Sequence, residues 1–143
     1  MFSNSTKYAL KAVLYLAVHS NEDQKIMAKD ISAPINVPKA YIAKLLQELS
    51  RKGLISSVRG PKGGFYLSAQ NKEHTLIEII EAIGDTDHMR SCWLSLEGCD
   101  ENRPCPLHAV LASSKSKILQ QLERKSINET AEEVKAGISF LPL

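Results

Sequence analysis

The sequence predicts a mainly α-helical chain with a small β-wing, arranged as a winged helix-turn-helix followed by a long helix. Three observations carry this. Apolar residues recur at helical spacing along most of the chain, a Gly/Pro-rich hairpin follows the third helical segment, and positive charge gathers on that segment and hairpin. A chain of 143 residues, 43% hydrophobic and 24% charged, is long enough to bury a core without disulfide staples.

Over residues 6–20, Tyr8, Ala9, Ala12, Val13, Leu16 and Ala17 share one helical face, with Lys7 and Lys11 on another side, which predicts a first helix. Residues 26–31 predict a short second helix ended by Ala33-Pro34, since proline disfavours helical geometry in the residue before it. Pro38 suits the first turn of a third helix, whose stripe Tyr41, Ile42, Leu45, Leu46 and Leu49 runs to Gly53. A connection of about five residues joins the two in helix-turn-helix order. Residues 54–58 and 65–67 read as strands around the exposed loop Arg59-Gly60-Pro61-Lys62-Gly63-Gly64.

Thr75-Leu76-Ile77-Glu78 has the form of a capping box, predicting a helix to about Ile83. Residues 84–104 have no periodicity and at this length read as a functional loop or a disordered one. In the long helix over residues 106–124, Leu107, Leu111, Ser114, Ile118 and Leu122 form a seam that asks for a partner, the plainer alternative being packing on its own domain. A second capping box, from Ser126 to Glu129, opens a final helix to Gly137. The expected units are residues 1–83, a cysteine-containing segment at 84–105, and the helices of 106–143.

The net charge of +2 argues little as a total. Its distribution says more. From Pro38 to Gly64 the charged residues are Lys39, Lys44, Glu48, Arg51, Lys52, Arg59 and Lys62, six positive against one negative, so this stretch alone carries +5. A basic helix surface by itself is usually just solvated. Here it coincides with a helix-turn-helix and a hairpin, which points to double-stranded DNA. Lys39, Ala40, Tyr41 and Lys44 at the helix start, with Arg51, suit the major groove, and Arg59, Gly60, Pro61 and Lys62 at the loop tip suit the minor groove. Tyr41 suits a core position equally well.

The three cysteines all lie in Cys92-x6-Cys99-x5-Cys105, and x2 further on comes His108. A lone cysteine is usually a small buried hydrophobe, whereas this grouping suggests a thiol or metal centre. The spacing is too open for a zinc knuckle, and thiolates favour iron-sulfur clusters as well as zinc. His19, His74 and His88 read as surface or packing residues, with His88 near enough to be a reserve ligand. No stretch has the length of a transmembrane helix or the pattern of a secretory leader, so a cytoplasmic protein with reduced thiols and no membrane partner is expected.

Thr6-Lys7-Tyr8-Ala9-Leu10 and the wing Ser56-Ser57-Val58-Arg59-Gly60-Pro61-Lys62-Gly63-Gly64-Phe65-Tyr66-Leu67, together with the cysteine triplet, resemble the IscR/NsrR group of bacterial winged-helix transcription regulators. The resemblance runs over nearly the whole chain. It implies a homodimer braced by the long helix as its dimerisation helix, and an iron-sulfur cluster held by the three cysteines. A histidine three residues beyond the third cysteine is similar to the ligand set of the iron-sulfur biogenesis regulator, which implies a 2Fe-2S cluster on Cys92, Cys99, Cys105 and His108, with 4Fe-4S as the alternative. Nitric-oxide-sensing members use an acidic ligand from the partner's first helix, and the matching Lys7 does not suit that role. Ala43 stands where the biogenesis regulator has a glutamate that tunes base choice, so the operator does not carry over. The expected function is a DNA-binding regulator, a repressor or dual regulator, that senses redox state, nitric oxide or cluster supply. Its rivals are a cluster-free thiol or small-molecule sensor of the same fold, a zinc-stabilised DNA-binding module, and a thiol redox enzyme. The last lacks a CxxC pair beside a βαβ pattern.

Overall fold

The computed structural model of the chain describes residues 2–92, 94 and 100–143. It begins with α1 (Asn4–His19), capped by Ser3, whose Oγ accepts from the Thr6 N–H at 3.2 Å. Ala9, Ala12, Val13, Leu16 and Ala17 on this helix expose no surface. Three of these five are alanines, so neighbouring helices approach closely. Packed on α1 are α2 (Ala28–Ile35), through Ile31 and Ile35, and α3 (Lys39–Arg51), through Ile42, Leu46 and Leu49.

The second helix corrects the sequence reading. Pro34 lies inside it rather than ending it, and the helix stops at Asn36, whose left-handed φ of 58° lets its N–H cap Ala33 and Ser32 carbonyls. A proline in a last turn forfeits one hydrogen bond, which the burial of Ile35 and Val37 offsets. The connection to α3 is therefore three residues, 36–38, the usual helix-turn-helix length. Ile26, expected in the helix, instead pairs with the wing: its N–H donates to Phe65 O at 2.9 Å and its carbonyl accepts from Phe65 N–H at 2.8 Å.

The wing is β1 (Ser56–Val58) antiparallel to β2 (Gly64–Tyr66), in the register Ser56↔Tyr66, Ser57↔Phe65 and Val58↔Gly64. Two glycines are obligatory at its neck. A Cβ on Gly63 would sit 2.0 Å from Val58 O, and one on Gly64, at φ 145°, would sit 2.7 Å from Ile26 O. The wing is also tied to the end of α1, because Ser20 Oγ donates to Leu16 O at 2.6 Å and accepts from the Leu67 N–H at 3.1 Å.

A short α4 (Ala69–Lys72), absent from the sequence reading, is closed by a Ser68/Asn71 capping box. The Thr75/Glu78 box opens α5 (Leu76–Ile83) as expected, with Thr75 N–H donating to Glu78 Oε2 at 2.6 Å. The aperiodic segment starts with a single helical turn, α6 (Thr86–Arg90), held by the buried Met89. The long helix α7 (His108–Arg124) has no buried residue. Its Ile118, Leu119 and Leu122 pack partly against Ile77, Ile80 and Met89, while Leu107 and Val110 are 40% and 67% exposed. The C-terminal part of the predicted seam thus serves its own domain. The final helix α8 (Ile127–Lys135) carries the second capping box and packs on α1 through the buried Ile127 and Ala131. Among the described residues, no helix is long and apolar enough to cross a membrane.

Leu16→Ala should cost about 4 kcal/mol in urea unfolding, in the upper part of the usual range because the site is closed on every side. Burial alone would raise the Asp85 carboxyl, but the Ser3 N–H at 2.7 Å and the Thr6 and Ser3 hydroxyls, with His88 nearby, hold it below the ordinary aspartate value. A depressed native pKa stabilises the fold above the unfolded value of about 4 and is lost as pH falls through the native one. Thermal melts taken between neutral and strongly acid pH should therefore decline more shallowly for Asp85→Asn than for the native chain.

Candidate nucleic-acid interface and cysteine centre

The buried stripe of α3 turns its other face outward. Lys39, Ala40, Lys44, Gln47 and Arg51 are exposed along it, and Arg59, Gly60, Pro61 and Lys62 are exposed at the wing tip, where the Gly63 N–H closes the turn on Gly60 O at 2.9 Å. Between helix and wing runs a groove lined by Gln47, Ser50, Arg51, Ser57, Arg59 and Phe65. It brings Arg51 and Arg59 to one trough. Ser50 Oγ and Ser57 Oγ, 2.9 Å apart, join the end of α3 to β1 and set the angle between them.

The structure sorts the basic residues. Lys52 turns away, its Nζ pairing with Glu48 Oε1 at 3.2 Å and donating to Ala82 O at the end of α5. The single acid of this stretch is thereby neutralised. No ion pair among the described residues involves Lys39, Lys44, Arg51, Arg59 or Lys62, so five cations remain directed at solvent. Tyr41 is 38% exposed yet engaged: its Oη lies 2.6 Å from Ser5 Oγ, and its ring meets Tyr8 edge-on at 5.9 Å and 88°. A surface of this shape and charge suits a phosphate backbone with base edges between.

Cys92, Cys105 and His108 line one apolar crevice with Leu94, Leu107, Leu111, Ala112 and Lys115. Cys92 follows α6, and Cys105 stands just before α7, where its carbonyl accepts from the His108 N–H at 2.9 Å. Both thiols are half-buried. The N-terminal end of α7 and the ammonium of Lys115, which donates to Ser91 O, place positive potential beside this crevice. Cys99 lies outside the described residues. Among those described, no three His, Cys, Asp or Glu side chains stand grouped as a metal site, but two soft sulfur donors and an imidazole share one crevice, and that donor chemistry fits an iron-sulfur cluster. His74 is engaged with Glu78 at 3.0 Å and His19 packs against Tyr15 with its ring tilted by 46°, while His88 is exposed on α6.

Gln47 and Ser50 were legible in principle, since they fall at helical spacing with Lys44 and Arg51. Ser5, Ser57 and Lys115 have no sequence signal, because distant segments bring them to the sites.

The Rrf2 family, described as iron-dependent transcriptional regulator, matches residues 2–133. The HTH-type transcriptional regulator IscR of Photorhabdus laumondii subsp. laumondii is 33% identical over 123 residues, covering 86% of this chain and 74% of that protein. The structure of CymR, the global cysteine regulator of B. subtilis, superimposes with a TM-score of 0.71 at 20% identity, covering 92% of this chain and 96% of that one. That of T. potens IscR gives 0.69 at 21% identity, covering 97% and 91%. These two structures speak for the winged-helix fold alone. The thiol redox enzyme is set aside, because the family and its relatives are transcriptional regulators.

If the trough is the phosphate-binding surface, Arg51→Ala and Arg59→Ala should each reduce the slope of log affinity against log salt on random-sequence duplex DNA by about 1. Lys52→Ala should leave that slope unchanged.

Proposed function

We propose a sensory role for this chain, which belongs to the Rrf2 family of transcriptional regulators: it is a cytoplasmic homodimer whose affinity for operator DNA is set by an iron-sulfur cluster, and it acts as a repressor. The observation that carries the reading is the convergence of Cys92, Cys105 and His108 on one crevice at the start of α7. With Cys99 they would hold the cluster, 2Fe-2S in the first instance and 4Fe-4S as the alternative. When bound, such a cluster supplies a link between these residues that oxidation, nitric oxide or iron shortage can break.

The protein's own residues do the rest. Lys39, Ala40, Tyr41 and Lys44, with Arg51, present the start and outer face of α3 to the major groove, and Arg59, Gly60, Pro61 and Lys62 present the wing tip to the minor groove. The exposed Leu107 before α7 and Ser114 on it, with the half-buried Leu111 between them, would meet a second copy, with Ile118 and Leu122 at the inner end of the seam. A two-fold dimer then sets two recognition helices about one DNA turn apart on a palindromic operator. A hundredfold change in operator affinity requires about 2.7 kcal/mol of difference between the two states of the cysteine segment, a scale that ordering a few residues supplies.

Anaerobically purified protein should be brown-red with visible absorption, and Cys92→Ala, Cys99→Ala or Cys105→Ala should each abolish the colour. Colourless protein with one zinc per chain would sink the cluster reading in favour of a zinc-stabilised module. Operator binding that follows thiol oxidation with no iron present would establish the cluster-free sensor instead.

A further inference from the structure

Both ends of α3 are tied to the same corner of the chain, residues 82–85. At its start α3 has no side-chain cap, since Pro38 occupies that position. Its first turn is held instead through Tyr41, by the 2.6 Å contact with Ser5 Oγ and the edge-on packing against Tyr8. Ser5 and Tyr8 sit on the first turns of α1, and the Ser3 N–H at the head of that helix donates to Asp85 Oδ2 at 2.7 Å. The hydroxyls of Ser3 and Thr6 serve the same carboxylate. At the other end of α3, Lys52 donates to Ala82 O in the last turn of α5.

The corner leads directly to the cysteine segment. Gly84, at φ 87°, reverses the chain after α5, and Asp85 then starts α6. That turn is gripped on three sides: Met89 is buried against Ile77 and Ile80, Arg90 stands 3.8 Å from both Glu81 and Glu123, and Ser91 O accepts from Lys115 of α7. Cys92 is the next residue. Cys92 is thus joined to Asp85 through a short helix held by packed neighbours rather than through slack chain.

We propose that Asp85 is a positioning residue, and that through Ser3, Ser5 and Tyr41 it transmits the state of the cysteine segment to the first turn of the recognition helix. This rests on the sensory reading above and names the route by which it works. Loss of the Asp85 carboxylate frees the head of α1 while Ala9, Ala12, Val13, Leu16 and Ala17 keep its body in the core, so the fold survives. Hydrogen bonds of this kind are worth about a fivefold change in an equilibrium each.

The test uses a duplex selected from a random-sequence library on native, anaerobically purified protein. Affinity is measured before and after removal of iron by a chelator, for the native chain, Asp85→Ala, Ser5→Ala and the double variant. The native chain should change affinity by about tenfold or more on chelation, whereas each variant should change by no more than about twofold. The double variant should behave like the singles, because both break one route. Binding to a scrambled duplex, which depends on the exposed cations, should be the same in all four. Independently of iron, amide exchange at residues 39–42 should quicken in Asp85→Ala and in Ser5→Ala. Variants that melt like the native chain and keep its full response overturn the relay and leave the sensory reading standing, while a native chain that does not respond overturns both. Should Asp85→Ala fold poorly, Ser5→Ala alone decides the matter by the same two outcomes.

Discussion

The close-packed face of α1 is the interaction on which the other elements depend. Ala9, Ala12, Val13, Leu16 and Ala17 expose nothing, and α2, α3, α5 and α8 all lie against that helix. Alanine contributes little apolar area itself. What it permits is proximity, so that Ile31, Ile42, Leu46, Leu49, Ile79 and Ile127 reach across and fill one core at interior density. Each end of the helix then has a second task. Ser20 at its C-terminal cap holds the wing through the Leu67 N–H, and Ser3 at its N-terminal cap holds Asp85. One rigid rod therefore joins wing, recognition helix and cysteine segment. Deformation at any of them meets the same stiff element.

Charge is organised on this scaffold by subtraction. The +5 of residues 38–64 is larger than the +2 of the whole chain, and the structure removes one positive and one negative charge from it by folding Lys52 and Glu48 together toward α5. The five cations left over occupy the outer face of α3 and the tip of the wing, divided by the Ser50–Ser57 contact that fixes their relative angle. Affinity for a polyanion rests on number and exposure of cations, whereas selectivity rests on how the helix is held. Tyr41 belongs to the second category. Its hydroxyl and ring are turned to α1, which suits a residue that orients its helix.

Much of the fold was legible because its signals are local. The capping boxes at Thr75/Glu78 and Ser126/Glu129 read correctly from four residues each, and the apolar stripes of α1 and α3 read from their period. The misreadings share a cause. Pro34 is a helix breaker by local rules, yet burial of Ile35 carries the helix past it. Ile26 resembles a helical residue until the backbone of Phe65 arrives from 39 positions away to pair with it. The single turns α4 and α6 are too short to show a period, and are held by one capping box and by one buried methionine.

By itself the sequence determined the inventory of this protein: the order of its six longer helices, the glycine neck of the wing, the concentration of positive charge, and three thiols with an imidazole spaced along one segment. These follow from neighbours along the chain, where period, capping and steric need are written. Only the tertiary structure decided their use. It withdrew Lys52, turned Tyr41 onto Ser5, brought Lys115 beside Cys92 and Cys105, and divided the seam of α7 between its own core and an exposed half. Each of those outcomes depends on segments far apart in sequence meeting around α1, and such meetings are set by the packing of the whole core rather than by any local pattern.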